Sequence, residues 1–282
     1  MEHDLETLNR EAENIVKNLG IPPCPAILTK LIQEMRGDDP DFQKLGKLIA
    51  GDASLAAAML KTVNSPFYGL RTRATSIHQA ITLLGVRNVA QLVTGLLLRQ
   101  AFPGGTNELM DDYWESTSKM AELNGSLARK IPGMDRATAH TFALFRDCGM
   151  LAMIGKYKDY KPVLPGKKAD KNKSVLQVED ERYQMNHARV GYHLAKSWLL
   201  TDEICYGILH HHDFNALESG VTVLPGAGAR LVALALLSDK VFNRQELGLK
   251  SSEWDKGSQF ALKQLGLTPD KVDDLVSELM AA

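Results

Sequence analysis

The stretch from Leu55 to Val93 leaves this chain few folds to choose from, because it opens and closes on helical apolar spacing and breaks in the middle. Ala56, Met59, Leu60 and Val63 recur at helical intervals, and Asn64-Ser65-Pro66 stops the pattern, since proline disfavours α backbone in the residue before it. Gly69 permits a turn. Ser76 is placed to cap a helix over Ile77 to Leu84, Gly85 ends it, and Val86 opens another that runs to about Arg99. The order is helix, loop, helix, tight turn, helix, so one irregular insert is held against a helical scaffold.

The rest of the chain repeats that grammar. Leu5, Leu8, Ala12, Ile15, Val16 and Leu19 share one helical face, closed by Gly20 and Pro22-Pro23. Ile27 to Met35 and Phe42 to Ile49 read as two further helices, with Gly51-Asp52 as stop and cap before the next. Phe102-Pro103-Gly104-Gly105 interrupts the pattern and marks an internal boundary. Beyond it, Tyr113 to Arg129 is helical, Asp135 caps a helix running toward Asp147, and Val175, His187 to Trp198 and Asp202 to His212 continue in the same way. The polar segment from Lys156 to Lys173 reads as an exposed connector, and Gly226 with Gly228 as a turn before the apolar helix Leu231 to Phe242. Two helices close the chain, the last capped by Thr268. No period-two alternation bounded by turn residues occurs, so the expected class is all-α.

Charge and cysteines narrow the function. A formal net charge of -1 supplies no field for binding nucleic acid or an acidic membrane. Gln79 to Val93 superficially suggests a helix-turn-helix, but Leu83, Leu84, Val89, Leu92 and Val93 fit a packed helical corner better. Cys24, Cys148 and Cys205 are far apart and form no CxxC pair, which points to a reducing, cytoplasmic setting. The acidic start MEHDLETLNRE lacks an apolar signal core, and no run is long enough to span a bilayer.

The second half gathers the chemistry: Arg146-Asp147, His187, the run His210-His211-His212-Asp213, and Asp239. Helix-borne histidines and carboxylates at long separations suit a metal site inside a bundle. No serine or cysteine nucleophile motif, P-loop or dinucleotide fingerprint accompanies them.

Several motifs in order carry a resemblance: Ile21-Pro22-Pro23-Cys24-Pro25, Leu48-Ile49 with Asp52 and Leu55, Asn64-Ser65-Pro66-Phe67-Tyr68-Gly69, and Ser76 to Gly85. Together they resemble the HDOD family, the HD-related output domains of bacterial signalling proteins. The resemblance implies an all-α, multi-helical bundle with an HD-like half. Its boundaries would be an N-terminal helix at 1–20, an HDOD domain at 21–213 divided near residue 103, and a helical extension at 214–282. It also implies a cytoplasmic signalling module acting through contacts with signalling proteins, with a metal-dependent phosphohydrolase acting on nucleotides or cyclic dinucleotides as the alternative.

The HD superfamily holds one or two metals with a lone histidine, a His-Asp pair, a further histidine, a His-His pair and a final aspartate. Matched to that pattern, the chain offers Ser116 and Arg146 where histidines are expected, while Asp147, His187, His211, His212 and Asp239 are kept. The resemblance thus implies one dismantled ion position and one intact set, Asp147, His187, His211 and His212. No cofactor is expected beyond, at most, a single divalent ion. A guanidinium cannot ligate a metal yet bonds carboxylates strongly, so Arg146 would replace the lost ion by pairing with Asp147 and Asp239. The insert, with Asn64, Ser65, Phe67, Tyr68, Arg71 and Arg73, is the candidate recognition loop.

Overall fold

The computed structural model describes residues 19–35, 41–104, 108–160, 174–219, 224, 226–248 and 251–281. Among them every regular element is a helix and no strand occurs. No helix is long and apolar enough to cross a membrane among the described residues. Most of the N-terminal helix expected at 1–20, and most of the lysine-rich connector, lie outside the described residues.

The chain divides into two compact units. One comprises Pro22–Gly104 with Ser197–Leu199 and contains, among the described residues, five helices: α1 (Ala26–Met35), α2 (Phe42–Ala50), α3 (Ala53–Val63), α4 (Ile77–Leu84) and α5 (Val86–Ala101). Side chains set their ends. Asp41 Oδ1 accepts from Gln43 N and Lys44 N at the start of α2, Asp52 accepts from Leu55 N at the start of α3, and Ser76 accepts from Gln79 N at the start of α4. Gly85, at φ +78, is both the stop of α4 and the first step into α5, a conformation that glycine adopts without a Cβ penalty. The helices close on Leu28, Leu31, Leu45, Ile49, Leu55, Met59 and Val63, all at most 2% exposed. Trp198 joins this unit, donating its indole N–H to Pro22 O at 3.0 Å.

The insert after α3 is fastened by its first residue. Asn64 Nδ2 donates to Leu60 O at 2.8 Å and to Ala74 O at 2.9 Å, and Asn64 Oδ1 accepts from Ala74 N at 2.8 Å. One amide therefore finishes α3 and clamps the far end of the loop. Between those ends Phe67 and Tyr68 pack edge to face at 5.0 Å and are half-buried, while Arg71 and Arg73 are exposed.

The other unit holds α6 (Glu108–Ala128), α7 (Arg136–Arg146), α8 (Gly149–Lys156), α9 (Val175–Tyr183), α10 (His187–Ser197), α11 (Asp202–His210), α12 (Phe214–Ser219), α13 (Gly226–Leu247), α14 (Ser252–Leu265) and α15 (Pro269–Ala281). Long α13 is its axis, packed on α6, α7, α11, α14 and α15. The turn expected at Gly226 and Gly228 is instead the first turn of α13. A Cβ on Gly228 would lie 2.9 Å from Glu203 O, so this glycine serves a close helix approach rather than a chain reversal.

Candidate metal centre

Four elements of the larger unit end at one buried point. Asp147 is the C-cap of α7, and the backbone turns there directly into α8. His187 is the first residue of α10, and His211 and His212 follow the last turn of α11. Two glycines let these elements meet. A Cβ on Gly149 would stand 2.0 Å from His187 O and 2.6 Å from Gly191 N, so the start of α8 and the first turns of α10 touch backbone to backbone. That approach carries His187 to Asp147.

The donor atoms converge. His211 Nε2 lies 3.1 Å from Asp147 Oδ1, His187 Nε2 3.5 Å from the same oxygen, and His187 Nε2 3.4 Å from His211 Nε2 and 3.3 Å from His212 Nε2. All four donor atoms lie within 4.8 Å of one another. Bonds of about 2.0–2.1 Å from a tetrahedral ion imply donor-to-donor edges of about 3.3–3.4 Å. The four closest separations therefore have the dimensions of such a cage. Asp147, His187 and His211 are buried, and His212 forms the more open side.

The other face of each imidazole is engaged. His187 Nδ1 meets Glu179 Oε2 at 2.7 Å, His211 Nδ1 meets Ile208 O at 2.6 Å, and His212 Nδ1 meets Glu253 Oε2 at 2.9 Å. The three acceptors hold hydrogen on Nδ1 and aim Nε2 of each ring at the centre. With His187 deprotonated, three Nε2 lone pairs and a carboxylate face one point, an arrangement that a cation would hold together. The donor set thus fits a divalent ion on chemistry and on dimensions.

Glu179 has a second task. Its Oε2 also accepts from His187 N at 2.9 Å, holding the start of α10, while Oε1 accepts from Tyr160 Oη at 2.6 Å. Burial opposes charge on His187, but the Glu179 carboxylate and the bond to Asp147 outweigh it and raise the imidazole to about 9. His211 goes the other way: burial, reinforced by His212, lowers it to about 4. Burial would raise Asp147, yet Arg146 and the two imidazoles hold it well below the usual carboxylate range.

Arg146 closes one side of the centre. Its Nε donates to Asp147 Oδ2 at 3.0 Å and its Nη1 to Asp239 Oδ2 at 2.9 Å. Arg146 is 8% exposed, so both bonds form in a desolvated setting where ion pairing is strong. Burial pushes Asp239 up to about 6 against the pull of Arg146, which still leaves it ionised at neutral pH. A polar chain anchors this side of α13: Ser238 Oγ donates to Asn124 Oδ1 at 2.7 Å, and Asn124 Nδ2 to Ala139 O at 2.8 Å.

Of the residues singled out by sequence, Arg146, Asp147, His187, His211, His212 and Asp239 are gathered here. His210 and Asp213 pair with each other at 3.0 Å, outside the cluster. Ser116 is half-buried on α6 and is not one of the four converging donors. Sequence reasoning does not find Glu179, Glu253 or Tyr160. Each lies in a helix or at a chain corner without a motif of its own, and only folding brings it to an imidazole or to that imidazole's acceptor.

Comparison with known proteins agrees with this architecture. The family model for the HDOD domain matches residues 21–214. An uncharacterized protein of Treponema pallidum (strain Nichols) is 26% identical over 202 residues, or 68% of this chain; the chain spans 38% of that relative's length. Among solved structures, an HDOD domain protein of unknown function from Geobacter sulfurreducens superposes with a TM-score of 0.64 at 21% identity, covering 99% of this chain and 97% of that one. A protein from Marinobacter aquaeolei VT8, provisionally named for signal transduction, gives 0.69 at 22% identity over 94% of this chain and 58% of its own. One from Shewanella amazonensis SB2B, provisionally named a metal-dependent phosphohydrolase, gives 0.64 at 18% identity over 96% and 93%. At these identities the likeness is one of fold.

Proposed function

The chain belongs to the HDOD domain family, and from that premise we propose that it is a signalling module that acts through protein contacts, with a buried centre built for one divalent ion and not for hydrolysis. The observation that carries the reading is the commitment of Arg146 to both Asp147 and Asp239 beside a complete set of four donors. Two-metal hydrolysis needs a pair of ions about 3.5–4 Å apart that share oxygen ligands. Here the outer oxygen of Asp147 and one oxygen of Asp239 are bonded to a permanent organic cation.

The four donors argue in the same direction. Structural ions of the zinc type are closed by four protein ligands, whereas catalytic ones keep a position for water. A bound ion would supply fold stability by tying α7, α10 and α11 to one point, with Asp147, His187, His211 and His212 as its ligands. Glu179 and the carbonyl of Ile208 orient the rings of His187 and His211, and Arg146 balances the carboxylate charge. The recognition surface in this reading is the insert between α3 and α4, where Arg71 and Arg73 are exposed on a loop whose ends are fixed. Signalling proteins are its proposed partners.

The test uses the whole chain stripped of metal and reloaded with Zn²⁺ or Mn²⁺. Elemental analysis should find one tightly held ion per chain. Assays on cyclic dinucleotides and on bis(p-nitrophenyl) phosphate should show no turnover above buffer. Two ions per chain, or turnover that disappears in His211→Ala, would establish the phosphohydrolase in place of this reading.

A further inference from the structure

Glu253 stands in the first turn of α14, beyond the residues 21–214 matched by the family model. Its Oε2 lies 2.9 Å from His212 Nδ1, and its Oε1 accepts from Lys256 Nζ at 2.9 Å. The three imidazoles of the centre are thus held differently. His187 is oriented by Glu179 on α9, His211 by the carbonyl of Ile208 in its own helix, and His212 by a helix of the C-terminal extension.

That helix is seated by close contacts. A Cβ on Gly257 would come 2.8 Å from the Phe214 ring and 2.8 Å from Leu236, so α14 rests tightly on α12 and α13. Ser251 Oγ accepts from Trp254 N at 3.2 Å to cap it, and Lys240 Nζ on α13 lies 4.9 Å from the Trp254 ring centre. The position of Glu253, and with it the angle of His212, follows from that seating.

We propose that Glu253 is a positioning residue for the ion, and that through it the seating of α14 and occupancy of the centre reinforce each other. The inference rests on the single-ion reading given above. The carboxylate keeps hydrogen on His212 Nδ1 and aims Nε2 at the shared point. When α14 lifts away, His212 loses its acceptor and the open side of the cage loses its fixed donor. By linkage, whatever favours the ion favours the docked helix to the same degree. The C-terminal extension is thereby an element whose docking a metal can set, or whose displacement by a partner can release the metal.

The probe is Co²⁺ added to the full, metal-stripped chain, followed by its visible absorption and by amide hydrogen exchange across α14. The wild-type chain should bind one Co²⁺ and show slowed exchange over 252–265 on binding. Glu253→Ala should weaken Co²⁺ about ten- to a hundredfold, the range for lost outer partners of metal-bound histidines, and α14 should no longer respond to the ion. Glu253→Gln keeps an accepting oxygen and should recover part of the affinity. Lys256→Ala, which removes only the exposed partner, should leave affinity within about twofold, as expected of an exposed pair.

Equal affinity and equal spectra for wild type and Glu253→Ala would overturn the assignment while leaving the single-ion reading intact. A wild-type chain that binds no Co²⁺ would remove that reading, and this one with it. Co²⁺ binding without any change in exchange over α14 would overturn the linkage. Loss of the fold in both Glu253 variants would make Glu253 a structural residue and overturn its role as a positioner.

Discussion

Both units bury hydrocarbon, but only the larger one sets a cluster of charged groups into it. In the unit built on residues 22–104, the described buried residues are apolar apart from Thr94, and the helices close on leucine, isoleucine, valine and methionine. In the larger unit, Arg146, Asp147, Glu179, His187, His211 and Asp239 are all buried. The first interior gains stability from removing hydrocarbon from water, which tolerates many sequences of the right pattern. The second has the same hydrocarbon term and adds charges that are tolerable only when every partner is present. An all-helical architecture can therefore carry an interchangeable core beside a core in which single side chains decide the outcome.

The largest consequence concerns Arg146. Arg146→Ala strips two buried carboxylates of their cation at once, and breaking a buried pair from one side costs about 3–5 kcal/mol. The comparison makes the control: Leu55→Ala in the apolar unit costs about 2–5 kcal/mol through a cavity, yet should leave Co²⁺ affinity unchanged. Denaturant titration of both variants, with and without metal, separates them. The double variant Arg146→Met with Asp239→Leu should recover part of the loss, because it removes charge as well as its partner. A tenfold fall in affinity for Leu55→Ala would break the contrast between the units.

Gly149 comes next. Any side chain there meets backbone rather than a flexible tip, with His187 O 2.0 Å from the added Cβ, so α8 or α10 must move. Gly149→Ala should cost about 1–3 kcal/mol or more as overpacking, and should weaken metal binding by moving His187 away from Asp147. Isothermal titration with Zn²⁺ measures the second effect. Unchanged affinity would show that the cage does not depend on this backbone contact.

How much of this can be read from the chain differs between the two units in the same way. The helices, the caps at Asp52, Ser76 and Asp135, and the stop at Gly85 follow from local chemistry, and the structure has them. Arg146 and Asp147 are adjacent in sequence, and their pairing with Asp239 is what the family resemblance implies for an arginine standing at a histidine position. Glu179 and Glu253 cannot be found that way, because a glutamate on a helix reads as a solvated residue until another element is known to pack on it. Gly228 suggests a turn by its local pattern, but the reason for it is Glu203 O at 2.9 Å from its would-be Cβ, a contact between helices that no local pattern reports. Local rules end where the reason for a residue lies across the fold.

The pH response of the metal-free chain should expose the buried imidazoles. His187 is raised from 6.5 to about 9, so its contribution is whole below about pH 6.5 and is lost as pH rises through 9. His211 is lowered from 6.5 to about 4, so the folded state resists its protonation and stability is lost as pH falls from about 6.5 through 4. Each limb is on the order of 3–4 kcal/mol, since a tenfold change in proton affinity corresponds to about 1.4 kcal/mol. Urea midpoints in a chelator should therefore peak between about pH 6 and 7. In His187→Gln the alkaline limb should vanish, and a midpoint that still falls between about pH 7 and 9 would show that another group carries it.

The smallest expected effect lies in the apolar unit and asks whether it too contains a polar device. Asn64 makes three hydrogen bonds with one amide, at 2.8, 2.9 and 2.8 Å, and they join the end of α3 to the return of the loop at Ala74. Neutral bonds of this kind contribute about 0.5–1.5 kcal/mol each, and their loss is moderated because Asn64 is half-buried and water can reach part of the gap. Asn64→Ala should thus cost about 1–2 kcal/mol of local stability, below the loss at Arg146. The loss should be confined to the insert: hydrogen exchange should quicken at Ala74 and across the loop, while α4 and α5 keep their protection. Asn64→Asp discriminates the cause, since the carboxylate still accepts from Ala74 N but no longer donates to Leu60 O or Ala74 O. If Asp rescues protection fully, the single accepted bond closes the loop; if it behaves like Ala, the two donated bonds do. Exchange that quickened throughout α3 to α5 would instead make Asn64 a keystone of the whole unit and would erase the difference between its interior and that of the charged one.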